Sequence, residues 1–84
     1  MQVKVLLFGP AAAAAGCDSL TVSVGEGARC RDVLAALGRA NTPLGAIADA
    51  AKGARLAVNH AFADATQPIQ PTDEVALISM VSGG

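Results

Sequence analysis

The sequence predicts an α+β domain in which one main helix packs across a single mixed sheet. Three observations carry this. The chain opens on a run of two-residue apolar period, Val3, Val5 and Leu7, and closes on an apolar stretch from Glu74 to Met80, both patterns of β-strands. Between them, Cys30, Val33, Leu34 and Leu37 recur at steps of three and four, the spacing that lines one face of a helix. The element order is strand, strand, helix, strand, strand, which in 84 residues leaves room for one compact domain and one core.

The first strand is expected at about residues 2–8, ending at Gly9-Pro10. Its second face, Lys4, Leu6 and Phe8, is partly apolar, as in a central strand or one that meets another protein. Pro10, five alanines and Gly16 predict a helix of one to two turns, with proline preset for the first turn and glycine to stop it. Leu20, Val22 and Val24 alternate with Thr21 and Ser23 before Gly25-Glu26-Gly27, a second strand and a turn. The main helix is expected from Arg29 to Ala40. It ends at Asn41-Thr42-Pro43 because the residue before proline is pushed out of helical geometry, and a shorter helix is expected from Leu44 to Ala51. Arg55 to His60 and Ala61 to Ala63 flank a turn near Asn59-His60, and Pro68 and Pro71 interrupt the chain before the last strand. If the first and last strands are neighbours, they run parallel in the middle of the sheet.

Composition narrows the function classes. A domain of this size buries only about 60–65% of the surface its unfolded chain exposes, which favours a carrier or binder over an enzyme with a deep pocket. A net charge of −1, with two Phe and neither Trp nor Tyr, offers neither the field nor the stacking platforms that nucleic acid needs. Cys17 and Cys30 have no CxxC spacing and no flanking His, so no metal site is indicated and each reads as a small buried hydrophobe. No targeting or membrane-spanning segment is visible, and the expected location is cytoplasmic.

The usual signatures of catalysis are missing too. Asp49, Asp64, Asp73 and Glu74 read as solvated turn carboxylates, and His60 as an exposed turn residue without a nucleophile beside it. Gly25 and Gly27 lack the further glycine or lysine of a phosphate cradle and are explained by turn geometry. What remains is the end of the chain, Val81-Ser82-Gly83-Gly84. A thin tail of small residues leaving an apolar strand can enter a narrow channel, and glycine lets another protein close around the backbone near the terminal carbonyl. The Gly84 α-carboxylate, with an ordinary pKa of about 3.3–3.7, is ionised and unreactive until adenylation gives it a leaving group. It can then accept sulfur as a thiocarboxylate, or a lysine amine as an isopeptide.

The segments Val3-Lys4-Val5-Leu6-Leu7-Phe8, Leu56-Ala57-Val58-Asn59 and Asp73-Glu74-Val75-Ala76-Leu77-Ile78, with the terminal Val81-Ser82-Gly83-Gly84, resemble the small, sulfur-carrying subunits of molybdopterin synthase. The resemblance spans essentially the whole chain. It implies a ubiquitin-like β-grasp domain over residues 1–80 and a flexible diglycine tail over residues 81–84. It further implies that Gly84 is adenylated by an ATP-consuming partner, receives sulfur from a donor protein, and delivers it inside the large synthase subunit to a cyclic pyranopterin monophosphate. The assembly it implies is a heterotetramer. The carrier is no enzyme by itself and binds no cofactor. Met80, Val81, Ser82 and Gly83 match the tail that threads into the partner, and Phe8 and Ile78 match apolar docking positions; for these two, core packing is the equal expectation. The chain departs from the pattern at Ser79-Met80, where the family has Pro-Pro, at Ala11 to Ala15, where it has a basic residue, and at Thr72, where it has Gly. A carrier for thiazole or cysteine synthesis, a ubiquitin-like modifier and a plain interaction domain are the alternatives.

Overall fold

The computed structural model describes residues 1–48 and 53–78. The tail residues Met80, Val81, Ser82, Gly83 and Gly84, and with them Ser79, lie outside the described residues, as does the end of the shorter helix expected to reach Ala51.

Alternation of apolar and polar residues sets the strands, and their register builds the sheet. The strands β1 (Gln2–Leu7), β2 (Ser19–Ser23), β3 (Arg55–Val58), β4 (Ala61–Ala63) and β5 (Val75–Ile78) form one sheet in the order β2-β1-β5-β3-β4. β1 and β5 are parallel neighbours at its centre, with Val5, Leu6 and Leu7 opposite Val75, Ala76 and Leu77. The other pairs are antiparallel. The expected central position of the first and last strands is therefore met.

Three helices accompany the sheet among the described residues, α1 (Gly9–Ala15), α2 (Cys30–Ala40) and α3 (Thr42–Gly45). α2 crosses the sheet and buries Cys30, Val33, Leu34, Ala36 and Leu37 against Val3, Val5, Leu7, Leu56, Val58, Val75 and Leu77 of the strands. Leu44 and Ile69 are also fully buried in this core. α2 starts with the Asp32 carboxylate accepting from the Arg29 N–H at 2.8 Å, the reciprocal half of a capping box.

The shorter helix begins two residues earlier than the expected Leu44. Asn41 is at once the last cap of α2 and the first of α3: its Oδ1 accepts from the Leu44 N–H at 3.0 Å, and Pro43 sits within the first turn, where its missing N–H costs nothing. The Asn41 Nδ2 also donates to the Ala15 carbonyl at 3.3 Å, tying the end of α1 to the same corner. α2 and α3 meet at Gly38 and Gly45, where a Cβ on Gly38 would stand 3.3 Å from the Gly45 Cα. Glycine at both positions lets the two backbones come this close without either having to give way.

The β3–β4 hairpin closes through Asn59 and His60, both at positive φ (52° and 70°), the conformation that matches the twist of paired strands. Asn59 does more than turn the chain. Its Oδ1 accepts from the Glu74 N–H at 2.9 Å and its Nδ2 donates to Asp73 Oδ1 at 3.0 Å, while Asp73 Oδ2 accepts from the Gln70 N–H at 2.8 Å. Asp73 was expected to be a solvated turn carboxylate; the structure makes it the clasp that holds the loop before β5 to the hairpin. Asn59→Ala, which removes these bonds and disfavours positive φ, is expected to lower stability by about 1–2 kcal/mol. Thermal denaturation should register this as a fall in Tm of roughly 4–16 °C.

Candidate functional site: the open sheet face and the chain end

With α2 on one side, no described helix covers the sheet's other side, and strand parity decides what it displays. Residues opposite one another across a ladder share a face, so the register places Leu6, Ala76, Ala57 and Phe62 in one row across β1, β5, β3 and β4. Ser19 extends that row on β2. In the next row Ile78 lies opposite Arg55. Phe8 is one residue beyond the last β1–β5 pair, Leu7 opposite Leu77, and keeps extended geometry (φ −134°, ψ 156°). It therefore falls beside Ile78, on the face of Lys4 and Leu6.

Core packing, one of the two expectations for Phe8 and Ile78, is not met. Phe8 is 56% exposed and is no core residue; Ile78 is half-buried on the open face. Neither belongs to the core cluster. Phe62, 66% exposed, stands at the other end of the strip and was not singled out from the sequence. The signal was available: a two-residue turn at Asn59-His60 fixes the pairing of Ala57 with Phe62, and with Leu56 and Val58 turned inward, Phe62 must turn outward. The strip of Phe8, Ile78, Leu6, Ala76, Ala57 and Phe62 leads directly to the last described residue before the tail.

The remaining candidate groups are not assembled into a catalytic centre. His60 Nε2 lies 2.8 Å from Glu74 Oε2 on the exposed hairpin tip. Asp64 is exposed, and Asp49 lies outside the described residues. Cys17 and Cys30 are both free; Cys30 is buried and Cys17 half-buried. Burial pushes the Cys30 thiol up from its ordinary pKa, which keeps it protonated and a poor nucleophile at neutral pH. Gly27 (φ 79°) shapes the turn in which the Ala28 N–H donates to the Gly25 carbonyl at 3.1 Å, as in turns that need glycine at the third position. Among the described residues no polar or charged residue is buried, and no three His, Cys, Asp or Glu side chains come together as a metal-binding group. No described helix is long and apolar enough to cross a membrane.

The sequence model of the ThiS family matches residues 5–84, from the second half of β1 through β2 to β5 and on to the diglycine end. The chain belongs to the ThiS family. This ThiS-family chain is 33% identical over 86 residues to the molybdopterin synthase sulfur carrier subunit of Chlamydomonas reinhardtii, with both sequences covered in full. Its fold is similar to the crystal structure of SAMP1 from Haloferax volcanii, with a TM-score of 0.84 and 27% identity over the whole of both chains. It is likewise similar to that of small archaeal modifier protein 1 from the same organism, with a TM-score of 0.81 and 26% identity over 95% of this chain and 98% of the other. A more distant fold likeness, TM-score 0.64 and 20% identity with full coverage of both chains, is to a protein–protein complex of subunits 1 and 2 of molybdopterin-converting factor from Helicobacter pylori. The ubiquitin-like β-grasp fold implied by the resemblance is thus the fold of this ThiS-family protein, and it is a homologue of a molybdopterin synthase sulfur carrier subunit.

Proposed function

We propose that this ThiS-family protein is the sulfur carrier subunit of molybdopterin synthase and works through Gly84. The observation that carries the reading is the full-length match to a sulfur carrier subunit of that enzyme, in a chain whose sequence closes on Gly83-Gly84. A Gly84 carboxylate oxygen attacks the α-phosphorus of ATP on an adenylating partner, and pyrophosphate leaves. The terminal sulfur of a donor protein's persulfide then displaces AMP from the acyl carbon to give an acyl disulfide, and a second thiol attacks the donor's sulfur, forming a disulfide with it and releasing Gly84 as the thiocarboxylate. Met80, Val81, Ser82 and Gly83 thread this end into the large synthase subunit, where the sulfur passes to the cyclic pyranopterin monophosphate. Incubation with the adenylating enzyme, ATP and a sulfur donor should raise the intact mass by about 16 Da as sulfur replaces oxygen; an unchanged mass overturns the reading.

The open face is the docking surface in this reading. Exposed aromatics at both ends of an apolar strip are the residues that anchor protein interfaces, and here the strip includes Ile78, the last described residue. Phe8→Ser and Phe62→Ser should each weaken binding to the large subunit by at least about tenfold while leaving the melting temperature nearly unchanged, because both rings are exposed. Isothermal titration with the purified large subunit measures the first effect and calorimetric melting the second.

A second reading, a ubiquitin-like protein modifier, is favoured by the structural likeness to small archaeal modifier protein 1. It uses the same activated Gly84 with a lysine amine as the nucleophile. Lysine-linked adducts in cells carrying a tagged chain would favour it over sulfur delivery.

A further inference from the structure

The two edges of the sheet are unequal. β4 is three residues long, whereas β2 runs for five, Ser19-Leu20-Thr21-Val22-Ser23, with an unbroken register against β1. Met1 and Val24 exchange backbone hydrogen bonds, and Leu7 N–H donates to the Asp18 carbonyl at 2.8 Å. Antiparallel pairs alternate between bonded and non-bonded positions, so Val22 and Leu20 point their amides and carbonyls inward to β1. Those of Ser19, Thr21 and Ser23 point away from the sheet. Edges are commonly blunted by lysine, proline or a bulge; β2 has none of these.

The edge sequence is also its own complement. Serine stands at both ends, an aliphatic residue at each next position, and Thr21 at the centre. We infer that β2 pairs antiparallel with β2 of a second copy of this chain across a two-fold axis at Thr21, joining the two sheets edge to edge. Thr21 faces Thr21, Ser19 faces Ser23, and Leu20 faces Val22. The three residues with outward backbone groups all fall at bonded positions, each pair exchanging two hydrogen bonds. Hydroxyl pairs with hydroxyl on the open face, and aliphatic with aliphatic on the helix side, where the half-exposed Leu20 gains cover; both kinds of cross-strand pair are favourable.

The register sets the second copy's Asp18 opposite Val24, beside a groove that Arg39 lines together with Glu26 and Asp32, so the complementarity rests on the side-chain and backbone pattern of the edge and not on charge. Lys4, the β1 neighbour of Thr21, lies three strand spacings from its counterpart, about 14 Å, beyond the Debye length at physiological salt. The pairing leaves the open face and its Phe8 to Phe62 strip uncovered and does not depend on the carrier reading.

A five-residue edge contact is far smaller than a standard interface, so the dimer is weak. Sedimentation equilibrium of the full chain between about 10 μM and about 1 mM should show a reversible monomer–dimer equilibrium. In parallel NMR dilution series, the amides of Ser19, Thr21 and Ser23 should shift with concentration more than those of Leu20 and Val22. Thr21→Glu should raise the dissociation constant at least about tenfold by setting two carboxylates at the axis, yet it should fold normally, because the new carboxylate lies across from Lys4 in its own chain. A chain that stays monomeric to about 1 mM overturns the inference and leaves the edge to a strand from another protein. A dimer that survives Thr21→Glu, or one whose shifts fall on Phe8 and Phe62, overturns it as well.

Discussion

Removal of Gly84 is expected to abolish sulfur loading completely while leaving the fold intact. The proposed chemistry requires a carboxylate whose acyl carbon an adenylating enzyme can reach with nothing larger than glycine around it. Shortened by one residue, the chain ends at Gly83, still a glycine carboxylate, but displaced by one residue's reach, about 3.3–3.6 Å. A misplacement of even about 1 Å can cost a hundredfold in rate. Intact mass after incubation with the adenylating enzyme, ATP and sulfur donor should therefore stay at the starting value. Unfolding free energy should change by no more than about 0.5 kcal/mol, since a terminal substitution away from the core touches none of the mechanisms that give large effects. Retention of the mass gain in the shortened chain would place the activated group elsewhere. A chain acting only as a binding module would instead keep its partner affinity and never load at all.

Replacement of Leu37 by alanine is expected to bring the domain close to unfolding. Leu37 has no exposed surface and sits on the face of α2 that covers the sheet. Truncation of a buried leucine costs about 3–5 kcal/mol, the lost transfer energy plus the cavity left behind. A domain of this length has a total stability of about 4–13 kcal/mol, so the loss removes a large share of it. Urea denaturation should show the midpoint falling steeply with little change in slope. Leu37→Met, which keeps the volume, should cost less than about 1.5 kcal/mol, and this contrast separates packing from any general sensitivity of α2.

The core face was legible because it is written in local period. Val3, Val5 and Leu7 alternate, and Cys30, Val33, Leu34 and Leu37 recur at helical spacing; all seven are buried. Asn59-His60 was legible as a turn from the strands around it. Where reading the sequence fell short, long-range partners made the difference. The shorter helix starts early because the Asn41 side chain caps it. Asp73 is a clasp because Asn59, fourteen residues away, supplies its partner. Phe62 went unnoticed because its exposure depends on the parity of a three-residue strand, too short for alternation to be visible by itself.

By itself, the sequence determined where the longer strands and the main helix lie, which side of β1 and α2 turns inward, and that Gly83-Gly84 follow an apolar stretch. These follow from steric and periodic rules that act over a few residues. The tertiary structure alone decided that β5 enters between β1 and β3. That placement brings Leu6, Ala76, Ala57 and Phe62 into one row beside Phe8 and Ile78 and leaves β2 at an edge of the sheet among the described residues. The reason is that strand pairing joins segments some seventy residues apart through hydrogen bonds common to every residue type, so no local window of side chains records which strand lies beside which.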